Sequence, residues 1–94
     1  MASIAQIQAA LYKLNRQTAS PLKPYEDGQA QIGNYHLSQA YGGYNVNRIM
    51  NNGGGCTEPA GHGHVTKREC LQRIENLRLE DYEHWEHERY LERI

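Results

Sequence analysis

Apolar residues along the chain change period twice. Ile4, Ile7, Leu11 and Leu14 recur at helical spacing, while Gln6, Gln8, Lys13 and Arg16 fall elsewhere on the wheel. Ser3 followed three residues later by Gln6 is a capping-box signature, so the pattern predicts a helix over 4–17. A helix of that length is unstable alone, and its apolar stripe must find a surface. Between Gln29 and Asn51 the period drops to two. Gly33, Tyr35 and Leu37 share one face and Ile32, Asn34 and His36 the other; Tyr44, Val46, Arg48 and Met50 then alternate with Asn45, Asn47 and Ile49. Tyr41-Gly42-Gly43 supplies the positive-φ residues of a tight turn, which makes 29–51 a β-hairpin. Helical spacing returns at Thr66, which forms a second capping box with Glu69 and opens a helix over 66–94.

Within that helix Cys70, Leu71, Ile74, Leu77, Tyr82 and Trp85 occupy one sector, and Leu79, Tyr90, Leu91 and Ile94 the opposite side. Unbroken, it would be about 42 Å long, longer than so small a domain is wide. It is expected either to bend near Leu79–Asp81 or to project and cover its apolar side against another protein, a second copy included. The intervening segments read as loops. Thr18–Gly28 carries two prolines and an Asp-Gly, with Leu22 and Tyr25 as candidate anchors. Residues 52–65 are rich in glycine and histidine; a third short strand is possible there, although Pro59 and the glycines favour a loop. A two-stranded ribbon cannot stand alone, so the helices must cover it. The expected fold class is α+β, one small domain over 1–94.

Composition refines this picture in two respects. The 94 residues contain seven Tyr, one Trp and no Phe, so most large side chains carry a hydroxyl that needs water or a partner. Net charge is −1 but unevenly spread: eight Lys/Arg against five Asp/Glu through Arg78, then six acids against two arginines from Leu79 onward. An acidic end on a mildly basic body is a polarity that a charged partner can read. The first residues lack the cationic and apolar blocks of a secretion signal, and no apolar run approaches membrane-spanning length, so the expected setting is a bacterial cytoplasm without membrane contact.

Candidate chemistry is thin. Cys56, His62, His64 and Cys70 form C-x5-H-x-H-x5-C, all zinc-competent types at a spacing unlike that of structural zinc sites. Zinc is therefore a minor alternative to a polar GHGH loop, and no cofactor is expected. A Cys56–Cys70 disulfide is disfavoured by a reducing compartment. His84 and His87 lie three apart among Glu83, Glu86 and Glu88, a pairing more common on a solvated helix face than at a metal. Gly53-Gly54-Gly55 lacks the lysine spacing of a phosphate loop, and a chain reversal explains it more simply. Lys67 and Arg68 at a helix N-terminus could hold an anion. The small body charge and acidic end argue against direct nucleic-acid binding, with single-strand stacking on Tyr35, Tyr41 and Tyr44 as the one form the residue types allow. Ser20 and Ser38 have no legible base-and-orienter partners, so an enzyme is not expected.

The runs Gly33-Asn34-Tyr35-His36-Leu37, Ala40-Tyr41-Gly42-Gly43-Tyr44, Ile49-Met50-Asn51-Asn52-Gly53-Gly54-Gly55 and Gly63-His64-Val65-Thr66-Lys67-Arg68-Glu69 together resemble short accessory proteins of phages and mobile elements. The likeness covers roughly Gly33 to Ile74 and rests on structural rather than chemical motifs. Some phage proteins of this size and make-up are anti-CRISPR inhibitors, which implies by class a binding protein that blocks a Cas ribonucleoprotein or another bacterial nucleic-acid-directed complex. Under that reading the contact residues are Tyr35, Tyr41, Tyr44, Arg48, Lys67, Arg68, Glu83 and Glu86, with Trp85 more plausible as packing. The competing class is a small nucleic-acid- or zinc-binding regulator that uses the GHGH loop; a homodimer is compatible with either.

Overall fold

The computed structural model describes the backbone over residues 2–92 and side chains over residues 2–82. Helix α1 (Ile4–Gln17) starts as its cap predicts: Gln6 N–H donates to the Ser3 hydroxyl at 3.2 Å, and Ser3 N–H donates to Gln6 Oε1 at 2.8 Å. It ends where Thr18 turns its hydroxyl back to the Leu14 carbonyl at 2.8 Å and Ala19 takes a left-handed φ of 56°. Ile7, Ala10, Leu11 and Leu14 are buried along one stripe, whereas Ile4, expected on it, is more than a third exposed at the first turn.

The Thr18–Gly28 segment contains an element that periodicity does not reveal. Strands β1 (Tyr25–Glu26) and β2 (Gln29–Ala30) pair across Asp27-Gly28, both at positive φ, as a separate two-stranded ribbon. Leu22 and Tyr25 do not anchor it, since both are about half exposed. The main hairpin is tighter than expected, with β3 (Tyr35–Ala40) and β4 (Gly43–Ile49) paired antiparallel from Tyr35↔Arg48 to Ala40↔Gly43. Tyr41 and Gly42 both have positive φ, as a type I′ turn requires. Strand β5 (Cys56–Thr57) joins the other edge of β4 opposite Arg48 and Ile49, and Val65 bridges Tyr44 further along the same edge. The third strand thus exists, but it stops before Pro59.

Helix α2 (Lys67–Glu92) runs without interruption through Leu79–Asp81. Its start is held by Thr66, whose hydroxyl accepts from Glu69 N–H and donates to the Glu69 carboxylate, each at 3.2 Å. Gln17 at the end of α1 ties the two helices together by donating to the Arg78 carbonyl at 2.6 Å and accepting from Arg78 Nε at 3.2 Å. The core lies between the helices and one sheet face: Ile7, Leu11 and Leu14 meet Tyr35, Val46, Cys70 and Ile74, with Leu37, Tyr44, Leu71 and Leu77 at its margin. Tyr82 is about half exposed, so among the described residues the sector of α2 expected to be buried serves the core as far as Leu77; Leu79, on the opposite side, is also more than half exposed. The side chains of Trp85, the last of that sector, and of Tyr90, Leu91 and Ile94, which with Leu79 carried the expectation of a second apolar face, lie outside the described residues.

Candidate binding surface

Alternation along the hairpin decides where its tyrosines go. Tyr35, Leu37, Val46 and Tyr44 fall on the helix-covered face, so two of the three expected contact tyrosines are structural. Tyr35 is buried, its ring capped by the Arg48 guanidinium 4.7 Å from the centroid, and Arg48 Nε donates to the Gly33 carbonyl at 3.2 Å. Tyr35 thus faces inward, away from any partner, whereas Arg48 stays partly exposed over its ring. Burial raises the Tyr35 phenol above its ordinary value, and Arg48 opposes the shift. Tyr44 is half-buried against the core, with Lys67 Nζ 5.6 Å over its ring.

Tyr41 is different. It sits at the tip of the β3–β4 turn, 99% exposed, on a backbone with φ of 54°. Its ring meets His64 edge to face at 6.0 Å between centroids, and His64 Nε2 is fixed by the Ser38 hydroxyl at 2.9 Å. The turn end therefore presents Tyr41 and His64, with Lys67 over the half-buried Tyr44. Arg68 is exposed but lines a separate shallow cleft with Ala2, Gln6 and Leu71. Glu83 and Glu86, and the His84/His87 pair, have side chains outside the described residues.

The zinc quartet is not gathered. Cys70 is fully buried in the core, Cys56 is exposed beside the Gly54 carbonyl, His62 lies 3.7 Å from Glu58, and His64 is engaged by Ser38. Among the described residues no three His, Cys, Asp or Glu side chains converge as a metal site. Nor do the three glycines cradle an anion. Asn51 Oδ1 already accepts from the amides of Gly53 at 3.0 Å and Gly55 at 2.9 Å, closing the β4–β5 turn. A side chain on Gly55 would come within 2.5 Å of Asn51 Nδ2, so the glycine serves the close approach of that amide.

Several determinants escape a reading by hydrophobic period because they are buried amides. Asn15, Asn34 and Asn45 are each at most 2% exposed. Asn45 collects the 58–63 loop: its Nδ2 donates to Glu58 Oε2 at 2.8 Å and to the Gly61 carbonyl at 3.1 Å, and its Oδ1 accepts from Arg73 Nη1 at 2.9 Å. Arg73 also donates to the Gly63 carbonyl at 2.9 Å, so α2 and β4 jointly fix the loop that delivers His64 to Tyr41. The one available signal was an asparagine on an otherwise alternating strand, which cannot distinguish a solvated amide from a buried one. In comparisons with protein-family models, with curated proteins and with solved structures, the chain matches none.

Proposed function

We propose that this chain is a non-enzymatic binding protein that inhibits a bacterial nucleic-acid-targeting complex, with Tyr41 as its principal anchor. The single observation behind this reading is the state of Tyr41. A type I′ turn favours Asn or Gly at that position, and a bulky residue with positive φ costs on the order of 1 kcal/mol. Folding gains no burial in return, because the ring is 99% exposed. Conformational strain combined with an uncovered aromatic is the pattern of a contact residue. His64, braced by Ser38, limits the freedom the ring would lose on binding, and Lys67 supplies a cationic margin. The partner class comes from the resemblance of the Gly33–Ile74 motifs to phage accessory proteins.

The test is DNA cleavage by a panel of purified Cas ribonucleoproteins, with and without this protein, alongside native-gel mobility. Wild type is expected to shift and inhibit at least one complex, and Tyr41→Ala to weaken that inhibition about thirtyfold, the effect of losing a strong interface anchor. The reading fails if no complex is shifted, or if Tyr41→Ala inhibits as well as wild type. One equivalent of bound zinc together with salt-sensitive DNA binding would replace it with the regulator.

A further inference from the structure

The outer edge of β3 has open main-chain positions whose direction is fixed by the ladder. Asn34 O accepts from Ile49 N–H at 3.0 Å while its own N–H turns to the Gln31 carbonyl at 3.2 Å, and along the ladder the backbone groups of residues 36, 38 and 40 point toward β4. Those of Tyr35, Leu37 and Gln39 point the other way. At Tyr35 the outward groups are taken by one side chain: Tyr35 N–H donates to Asn15 Oδ1, and Asn15 Nδ2 donates to the Tyr35 carbonyl, each at 2.9 Å. That reciprocal pair is what a neighbouring strand would offer, supplied here by an amide from α1. Leu37 and Gln39 present the same N–H and C=O groups with no partner among the described residues.

A groove of about 400 Å³ runs beside this edge, walled by Leu11 and Tyr12 of α1, by Leu22 and Pro24, and by Leu37. Tyr12 and Leu22 are about half exposed along it. Among the described residues no Lys, Arg, Asp or Glu lines it. Asn34, fully buried at the groove wall, has an Oδ1 without a hydrogen-bond partner among the described residues. Edge strands are ordinarily blunted by a charge, a proline or a bulge. A bulge at Gly33–Asn34, both facing Ile49, closes the start of this edge, but beyond it strand β3, Tyr-His-Leu-Ser-Gln-Ala, has no Lys, Arg, acid or proline and pairs continuously with β4.

We infer that β3 accepts an added strand: an extended, uncharged segment of a partner protein that pairs with the main chain of Leu37 and Gln39 and seats an apolar side chain between Tyr12, Leu22 and Pro24. This deepens the proposed function and rests on its premise that the chain acts by binding another protein. The occupant is a single foreign strand rather than a second copy. Asn15 takes the outward groups of Tyr35, so the open run is Leu37 and Gln39; a second copy paired across so short a run would bury far less than the roughly 1,000 Å² a stable interface needs, whereas a foreign segment also fills the groove beside it.

The experiment pans a displayed random-peptide library on the full chain, then measures enriched peptides by fluorescence polarisation against wild type and variants. Enriched sequences are expected to share an uncharged run with apolar residues at alternate positions. Gln39→Pro removes an outward N–H and leaves the β4 ladder intact, a substitution that edge strands tolerate; it should lower affinity about tenfold, and Gln39→Ala should not. Leu22→Glu, on an exposed wall position, provides a second variant that should weaken binding if Gln39→Pro perturbs the strand. The inference is overturned by a library that yields no binders, by binders indifferent to both Gln39→Pro and Leu22→Glu, or by a dimer in sedimentation that Gln39→Pro dissociates. Edge-dependent peptides with no inhibition of any Cas complex would remove the proposed target and leave strand addition standing. Inhibition of a complex with no edge-dependent peptide would do the reverse.

Discussion

Tyr41 and His36 mark two residue-level conflicts between stability and surroundings. At Tyr41 the backbone asks for asparagine or glycine and receives an aromatic. Tyr41→Asn is therefore expected to raise stability by about 0.5–1 kcal/mol in urea unfolding while weakening partner binding about as much as Tyr41→Ala, and an unchanged or lowered midpoint would contradict the strain assigned to this turn. At His36 the conflict is electrostatic. Its Nδ1 is buried without a hydrogen-bond partner, and burial lowers the imidazole pKa below the ordinary 6.5. The sign follows from proton uptake. As pH falls through the ordinary histidine range the unfolded chain binds this proton first, so the His36 contribution is complete above that range and is lost on descending through it toward the folded pKa. The thermal midpoint should drop between about pH 7.5 and about pH 5.5, and His36→Gln should make that drop smaller. Equal slopes for the two proteins would mean that other histidines carry the effect.

Among the elements, those with local signals were legible and those set by tertiary contacts were not. Helix α1 announces itself through Ser3, Gln6 and a 3.6 period, and the turn at Tyr41-Gly42-Gly43 through its composition. Strands β1, β2 and β5 have two residues each, too few to establish any period. Residue type favours Tyr35 at an interface, but the strand register places it on the helix-covered face, where it is buried beneath a partly exposed Arg48. The continuity of α2 is plain in hindsight, since no Gly or Pro interrupts Lys67–Glu92. A comparison within the turn tests this register. A Cβ on Gly42, at φ of 73°, meets nothing within 4 Å, so Gly42→Ala should cost only the left-handed penalty, about 1 kcal/mol. At Gly43 a Cβ would sit 2.9 Å from His64 Cβ and 3.0 Å from its carbonyl carbon, against the Tyr44–Val65 bridge. Gly43→Ala should cost clearly more than Gly42→Ala and should shift the NMR resonances of His64. The reverse order would mean that the 58–65 loop does not lie against β4.

For the whole molecule, the two cysteines report on cooperativity and on zinc in one experiment. Cys70 contacts the core shared by α1, the sheet and α2 and is 0% exposed, whereas Cys56 is exposed on the β5 edge. Burial also raises the Cys70 thiol above its ordinary value, with Arg73 opposing, so little reactive thiolate is present even where a reagent penetrates. In native buffer a thiol reagent should modify Cys56 rapidly and Cys70 only when the domain opens. Because Ile7, Leu14, Val46 and Ile74 share that core, reaching Cys70 means separating both helices from the sheet. Its labelling should therefore follow global unfolding and accelerate with urea to the extent that unfolding does. A Cys56–Cys70 disulfide would leave neither thiol to label, and zinc held by the C-x5-H-x-H-x5-C set would protect both until a chelator was added. Fast labelling of Cys56 that ignores chelator, with slow labelling of Cys70 that tracks the urea midpoint, would leave the 56–64 segment as a scaffold for His64 and Tyr41 rather than a metal loop.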